Sequence, residues 1–422
     1  MLIKGGRLID PAIGFNDLVD ILIEDGKIKE ISPEISIEDE EVLDARGLIV
    51  CPGLVDIHVH FREPGMTHKE TIESGSHAAA ASGFTSVVAM ANTNPIIDKA
   101  ETLKEVLDIM DKQKIRVYSA AAISKSFRGK ELTDMKALKE MGAVVFTDDG
   151  VPLKNPDFIE EAMAMAKDLD VVLSFHEEDP SFIKNPGYNK GDLAESLGID
   201  GAPNVSEDVM VARDGALALH YGTKIDIQHI SSGNAVELVR TYKKLGANIF
   251  AEVTPHHFSL NEEAIIEYKS FAKMNPPLRT EKDRLAIIKG LQDDTIEVIA
   301  TDHAPHTNDE KLVEDIRKAP SGIIGLETAL SLAITNLVRP GYLSLDEVIK
   351  KMTYNPARLI GLEAGQVSLG KKADLCIFDQ NKLIRYTDFK SKSSNTPFKD
   401  KPLYGQVKYT LVGGEIVYKS EE

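Results

Sequence analysis

The chain has 422 residues, 42% hydrophobic and 27% charged, with a formal net charge of -18. That describes a globular protein with a sizeable core, one large domain plus an appendage, and an acidic balance without a basic stripe excludes a nucleic-acid footprint. Two cysteines, Cys51 and Cys376, cannot build a disulfide framework, and no apolar run reaches the roughly 18 residues of a membrane span or has the flanks of a signal segment, so a cytoplasmic protein is expected.

Residues 2–50 read as short strands joined by tight turns. Val19 to Glu24 and Lys27 to Ile31 flank Asp25-Gly26, a pair suited to the positive φ angles of a type I′ hairpin. The far end of the chain answers with a strand over 373–378 and a second hairpin, Val407 to Val412 and Ile416 to Tyr418, around Gly413-Gly414. Two β-rich ends bracketing a long middle predict one small β-sandwich domain built from residues 1–51 and 364–422. Between them, over 52–363, strands alternate with helices, the signature of βα units on a parallel sheet. Eight apolar strand candidates lie at 54–60, 85–92, 115–123, 143–149, 171–178, 224–231, 248–257 and 296–303, with helices such as Pro156 to Lys167, Glu207 to Leu219 and Lys282 to Gln292 between them. Eight parallel strands predict a closed (β/α)8 TIM barrel, completed by a helix over Leu326 to Leu337.

In such barrels the chemistry sits at the C-terminal ends of the strands. The first strand ends in His58-Val59-His60, and strand geometry puts residues i and i+2 on one face, so both imidazoles can reach one metal ion. The competing reading is a buried strand end with two satisfied histidines. The other strand ends argue against it: Asn92, Asp148-Asp149, His176, His229 and Asp302-His303 deliver imidazoles and carboxylates to the same face. Of Asp148 and Asp149, alternation places one inside, and a turn at Gly150 can change which. Asp149 is preferred, and Asp148 is read as a hydrogen-bonding turn residue. His303 points away from its neighbour Asp302, and His256 and His257 are assigned to packing. The set His58, His60, Asp149, His176, His229 and Asp302 suits borderline-soft divalent ions such as Zn2+. Six ligands exceed one tetrahedral zinc, so two ions are expected, close enough to polarise a carbonyl and activate water between them. That is hydrolytic chemistry, and no Schiff-base lysine or phosphate-binding glycine loop stands at a strand end to compete with it.

Taken together, His58-x-His60-x-Arg62, Asn92-Thr-Asn94-Pro, Phe-Thr-Asp148-Asp149-Gly, His229-Ile-Ser, Asn275-Pro-Pro-Leu-Arg and Thr-Asp302-His-Ala-Pro-His306 resemble the cyclic amidohydrolases, and within them the class I dihydroorotases of pyrimidine synthesis. The resemblance covers essentially the whole chain. It implies reversible zinc-dependent cyclisation of N-carbamoyl-L-aspartate to L-dihydroorotate. By the same resemblance His58, His60 and Asp302 hold one zinc, His176 and His229 the second, and Asp149 is shared. Asp302 is then also the catalytic acid/base, while Arg62, Asn92 and His306 bind the substrate carboxylate, Asn275 the ring amide, and Gly322 belongs to a backbone loop that closes over the ring. Hydantoinases, dihydropyrimidinases and allantoinases are the nearest alternative; they bridge their metals with a carboxylated lysine on the fourth strand, which Ala143 to Thr147 lacks. A scaffold relative without catalysis is the second alternative, against which all six ligand positions are filled. Two positions depart from the family pattern: Ala91 stands where proline is expected, and Glu177 where cysteine often follows the histidine. Glu177 is read as a solvated neighbour of the site, with an extra carboxylate near the metals as the other possibility. The resemblance also implies either a homodimer or a complex with aspartate transcarbamoylase. Segments 259–280 and 304–324 are expected to be lids, and the basic run Lys390 to Lys401 a solvated loop.

Overall fold

The structure, a computed structural model, describes residues 1–37 and 41–421. Eight short strands, Leu54–Val59, Phe84–Ala89, Arg116–Ala121, Ala143–Phe146, Leu173–Phe175, Ile225–Ile227, Ile249–Val253 and Val298–Ile299, pair in sequence order as one parallel sheet. A parallel bridge between Val59 and His303, with His60 N–H donating to the His303 carbonyl at 2.8 Å, brings the last strand back to the first. The expected barrel is therefore present, and all eight strands fall on the expected runs. These runs are nearly continuous in Val, Ile, Leu, Phe and Ala because helices cover the outside and side chains fill the inside.

The strands are shorter than their apolar runs. The fifth stops at Phe175, one residue before His176, and the sixth stops at Ile227, two before His229. Residues past these points leave the ladder to aim polar side chains at the barrel mouth. The helices at Pro156–Asp168, Val205–Tyr221 and Glu281–Gln292 match the periodicity, each with polar or proline signals at its start. The expected helix over 326–337 is broken into a 3-10 turn, Leu326–Thr328, an α-helical turn, Ala329–Ala333, and a π turn, Ile334–Val338. Its last turn widens because Arg339 N–H reaches back five residues to the Ile334 carbonyl.

A second sheet is built from both chain ends, in the order Glu415–Lys419, Pro402–Val412, Leu375–Arg385, Ile49–Pro52, Leu2–Asp10, Phe15–Glu24 and Lys27–Ser32, with Val42–Asp44 pairing beside Leu2–Asp10. The two ends meet where Cys51 lies opposite Cys376 in an antiparallel ladder. Both predicted hairpins are seen, and both central residues of each turn have positive φ: Asp25 and Gly26 at +50° and +73°, Gly413 and Gly414 at +56° and +77°. One face of this sheet carries its own cluster, including Ile3, Ile21, Val50 and Leu375. The other contributes Ile49, Cys51, Phe378 and Leu403 to the same apolar core as the barrel. Arg116, on the third barrel strand, forks onto Asp374 at 2.9 and 3.0 Å across the junction.

Candidate metal centre

At the barrel mouth the six predicted ligand residues converge. Among the described residues, three groups of ligand atoms lie within 4.8 Å of one another: His58, His60 and Asp149; His58, His229 and Asp302; and Asp149, His176 and His229. These groups comprise all six and no other residue. Asp149 is at their centre. Its Oδ1 lies 3.7 Å from His58 Nε2, 3.7 Å from His176 Nδ1 and 3.8 Å from His229 Nε2, and its Oδ2 lies 3.5 Å from His60 Nε2. Most of these separations exceed a good hydrogen bond. They match the roughly 3.3 Å expected between ligand atoms that share a tetrahedral ion at bonds of about 2.0–2.2 Å.

Two further observations test whether a metal fits. His58 Nε2 and His229 Nδ1 are buried without hydrogen-bond partners, and the first faces the carboxylates of Asp149 and Asp302. The charges also call for a cation. Burial works against the ionised forms of both carboxylates, yet Asp149 and Asp302 are held well below the usual carboxylate range by the surrounding imidazoles. Burial likewise opposes protonation of His176, but Asp149 and Glu178 raise it to about 10, and Glu252 with Asp302 and Asp149 raises His58. A cluster that protonates imidazoles to balance buried carboxylates is one that divalent cations would neutralise. The donor set therefore fits a metal site.

The backbone supports the same placement. Arg62, His229 and Asp302 hold φ of +59°, +35° and +44°, values that side-chain-bearing residues rarely adopt and that cluster at functional sites. Asp148 turns the other way: its carboxylate accepts from the Ile123 and Ser124 N–H groups at 2.8 and 3.0 Å and from the Ser124 hydroxyl. His303 lies between Glu70, at 3.3 Å, and the Gly325 N–H, at 3.2 Å. His257 is spanned by Thr254 and the Pro276 carbonyl.

Outside the cluster, Arg62, Asn92, Asn275, His306 and Gly322 line one cavity of about 220 Å³ together with His60, Asp149, His176, His229 and Asp302. Arg62 is half-buried, donates from Nε to the Pro305 carbonyl at 3.2 Å, and has no carboxylate among the described residues in ion-pair range. Asn92 does more than line the wall: its Oδ1 is 2.9 Å from His60 Nδ1 and its Nδ2 is 2.9 Å from Asp149 Oδ2. His306 Nε2 lies 2.9 Å from the Ser321 carbonyl, and Ser321 Oγ donates to Asn275 Oδ1 at 3.1 Å. Gly322 has φ of +150°, and a Cβ there would meet the Ala304 carbonyl and the His306 ring at 2.7 Å.

Several contributors were not anticipated. Glu252 accepts from His58 Nδ1 at 2.5 Å, and Glu178 lies 3.1 Å from His176 Nε2; both orient imidazoles toward the cluster. Each left a signal: Glu252 is a lone acid in the apolar strand Ile249–Val253, and Glu178 stands two residues after His176. Glu177 is corrected. It is not solvated but buried, and burial together with the Asp214 carboxylate pushes its pKa well up. The run Lys390 to Lys401 is a loop with Lys390, Lys392 and Lys399 exposed, as expected, but Ser391, Ser393 and Asn395 between them are buried. Asn395 joins the His306 N–H to the carbonyls of Ala304 and Gly322, so this connection buttresses the site.

Comparison with known proteins agrees with this geometry. A family model described as dihydro-orotase-like matches residues 47–235, and one described as the amidohydrolase family matches residues 321–418. The dihydroorotase of Clostridioides difficile (strain 630) is 55% identical over 421 residues, covering 100% of both chains; that of Lactococcus lactis subsp. lactis (strain IL1403) is 51% identical over 422 residues, again 100% of both. Among solved structures, the L-hydantoinase (dihydropyrimidinase) from Arthrobacter aurescens superposes with a TM-score of 0.89 at 24% identity, over 100% of this chain and 96% of that one. Dihydropyrimidinase from Brevibacillus agri gives 0.85 at 21%, over 99% and 95%. The solved structures carry the fold, and the full-length sequence relatives carry the family: the chain belongs to the dihydroorotases of the amidohydrolase superfamily.

Proposed function

We propose that this chain is a class I dihydroorotase that interconverts N-carbamoyl-L-aspartate and L-dihydroorotate in pyrimidine synthesis. Membership of the family supports the reaction class, a metal-dependent hydrolysis of a cyclic amide. The observation that carries the substrate is Arg62: a half-buried side chain that opens on the cavity beside the metal cluster, with no carboxylate in ion-pair range among the described residues. A partly desolvated guanidinium gains from a paired anion, which a ring carboxylate supplies and a neutral hydantoin or dihydropyrimidine does not.

In this reading His58, His60, Asp149, His176, His229 and Asp302 would hold two Zn2+ ions, with Asp149 serving both. When bound, these ions polarise the ring carbonyl and lower the pKa of water, which supplies hydroxide at neutral pH. Asp302 is the catalytic base and acid. Kept ionised by the imidazoles around it, it takes the remaining proton of the attacking hydroxide and returns it to the ring nitrogen as the C–N bond breaks. Arg62 and His306 bind the ring carboxylate; Asn92 lies beside them and also fixes Asp149. Asn275 binds the ring amide, and the backbone at Gly322 covers the ring.

The test is metal content per chain, with turnover of L-dihydroorotate, hydantoin, dihydrouracil and allantoin on one preparation. Expected are two zinc ions and turnover of dihydroorotate alone; turnover of a neutral ring instead removes Arg62 from substrate binding. No described helix is long and apolar enough to cross a membrane, which accords with the proposed cytoplasmic location. We also propose that the chain works as a homodimer or with aspartate transcarbamoylase. Light scattering that gives a 46.3 kDa monomer, unchanged by added transcarbamoylase, overturns that assembly.

A further inference from the structure

We propose that Lys69 is a positioning residue for the substrate carboxylate, fixing His306 as the tautomer whose Nε2–H faces the cavity. The inference rests on the reading of Arg62 and His306 as carboxylate-binding residues. Lys69 sits in the loop after the first barrel strand, with its Nζ 3.2 Å from His306 Nδ1 and 3.0 Å from Glu310 Oε1. An ammonium only donates, so Nδ1 must accept. On the other edge of the ring Nε2 is 2.9 Å from the Ser321 carbonyl, which only accepts, so Nε2 must carry the proton. Two neighbours of opposite kind thus select one tautomer.

The consequence is a pair of donors. Arg62 Nη2 lies 3.4 Å from His306 Nε2, and with Nε2 protonated this is a contact between two N–H groups rather than a hydrogen bond. An incoming carboxylate would take one hydrogen bond from the guanidinium and would share with the Ser321 carbonyl the one hydrogen on Nε2. Burial, with the Arg62, Lys69 and Lys311 cations, lowers His306 to about 2, so the ring stays neutral and its tautomer decides what it offers. Glu310 Oε2 is 3.6 Å from Nδ1 and is anchored by the Thr307 N–H at 3.0 Å. Without the Lys69 ammonium, that carboxylate favours a proton on Nδ1. Nε2 then turns a lone pair toward the incoming carboxylate.

The experiment is steady-state kinetics on L-dihydroorotate with K69M, K69R, H306A and the K69M/H306A double variant, together with long-range 1H–15N correlation of the histidine rings. Expected for K69M is a KM raised about 10-fold with kcat within about twofold, as for loss of a charge-assisted hydrogen bond. K69R restores the KM, K69M adds nothing on the H306A background, and the His306 signal moves from Nε2–H toward Nδ1–H. A K69M effect confined to kcat, or one that adds in full to H306A, overturns the inference. If K69M does not fold, an Nδ1–H tautomer in the wild type overturns it. A wild type that does not turn over dihydroorotate defeats the proposed function instead, and the ring correlation then decides the tautomer by itself.

Discussion

Glu252 shows how the site depends on single residues that never meet the substrate. Its carboxylate, buried behind His58, sets which nitrogen of that ring faces the cluster and adds to its basicity. Replacing it by glutamine is expected to weaken metal affinity about 10–100-fold, read by competition with a chelator, while excess metal restores turnover. Affinity equal to the wild type would remove Glu252 from this role. Arg62 makes the complementary prediction for substrate. Arg62→Met is expected to raise the KM for dihydroorotate by about 100-fold with metal content unchanged, and Arg62→Lys not to repair it, because a compact ammonium cannot fork onto a carboxylate. At this scale the sequence is a partial guide. Alternation in Phe146-Thr147-Asp148-Asp149 says that only one aspartate faces inward; which one depends on the Ile123 and Ser124 N–H groups that capture Asp148, and those come from the end of another strand.

The strap at Pro320–Gly322 is the element on which the cavity wall depends, and two buried lysines hold it. Lys311 Nζ donates to the carbonyls of Pro320 and Gly322 at 3.0 Å each, and Lys273 Nζ to those of Arg317 and Ala319 at 2.7 Å each. Among the described residues neither nitrogen has a carboxylate in ion-pair range, and the Asp315 charge offsets the burial of Lys273 only in part. Burial lowers Lys273 to about 8, and burial with the Lys273 ammonium nearby lowers Lys311 to about 7. In the unfolded chain both lysines keep their protons until about 10.5. Between roughly pH 7 and 10.5 the unfolded state therefore binds more protons than the folded one, so this pair makes stability rise with pH across that window and fall as pH drops through it. Denaturation midpoints measured from pH 6.5 to 10 should show a positive slope that K273M/K311M flattens; an unchanged slope would count against the assignment. The length of segments 259–280 and 304–324 was legible as a sign of covering loops. That lysines tie one to the other over the cavity was not, because an isolated lysine reads as solvated until the fold buries it.

For the whole molecule, the two sheets share one apolar core, since Ile49, Cys51, Phe378 and Leu403 from the chain ends pack with the barrel residues. We propose residues 1–51 with 364–422 and residues 52–363 as two structural units. They are nevertheless expected to unfold as one. Urea transitions followed by far-UV circular dichroism and by a fluorophore placed in the chain-end sheet should coincide, and two separated transitions would show an independent end domain. Asp374→Asn, which removes the charge opposite Arg116 at the junction, should lower the midpoint without splitting the transition.

The period of the apolar runs, the two hairpin turns and the histidines and aspartates at the strand ends determined the barrel, the sheet made from both termini and the convergence of six side chains that could hold metal, because each of these is written in local spacing. Tertiary structure alone decided which carboxylates orient the imidazoles, that Glu177 is buried away from the cluster, that the 390–401 connection braces the site and how His306 is protonated. Apart from Glu178, two positions after His176, those are contacts between residues tens to hundreds of positions apart, such as His58 with Glu252 and His306 with Asn395, and no pattern along the chain encodes which partner the fold will bring within hydrogen-bonding distance.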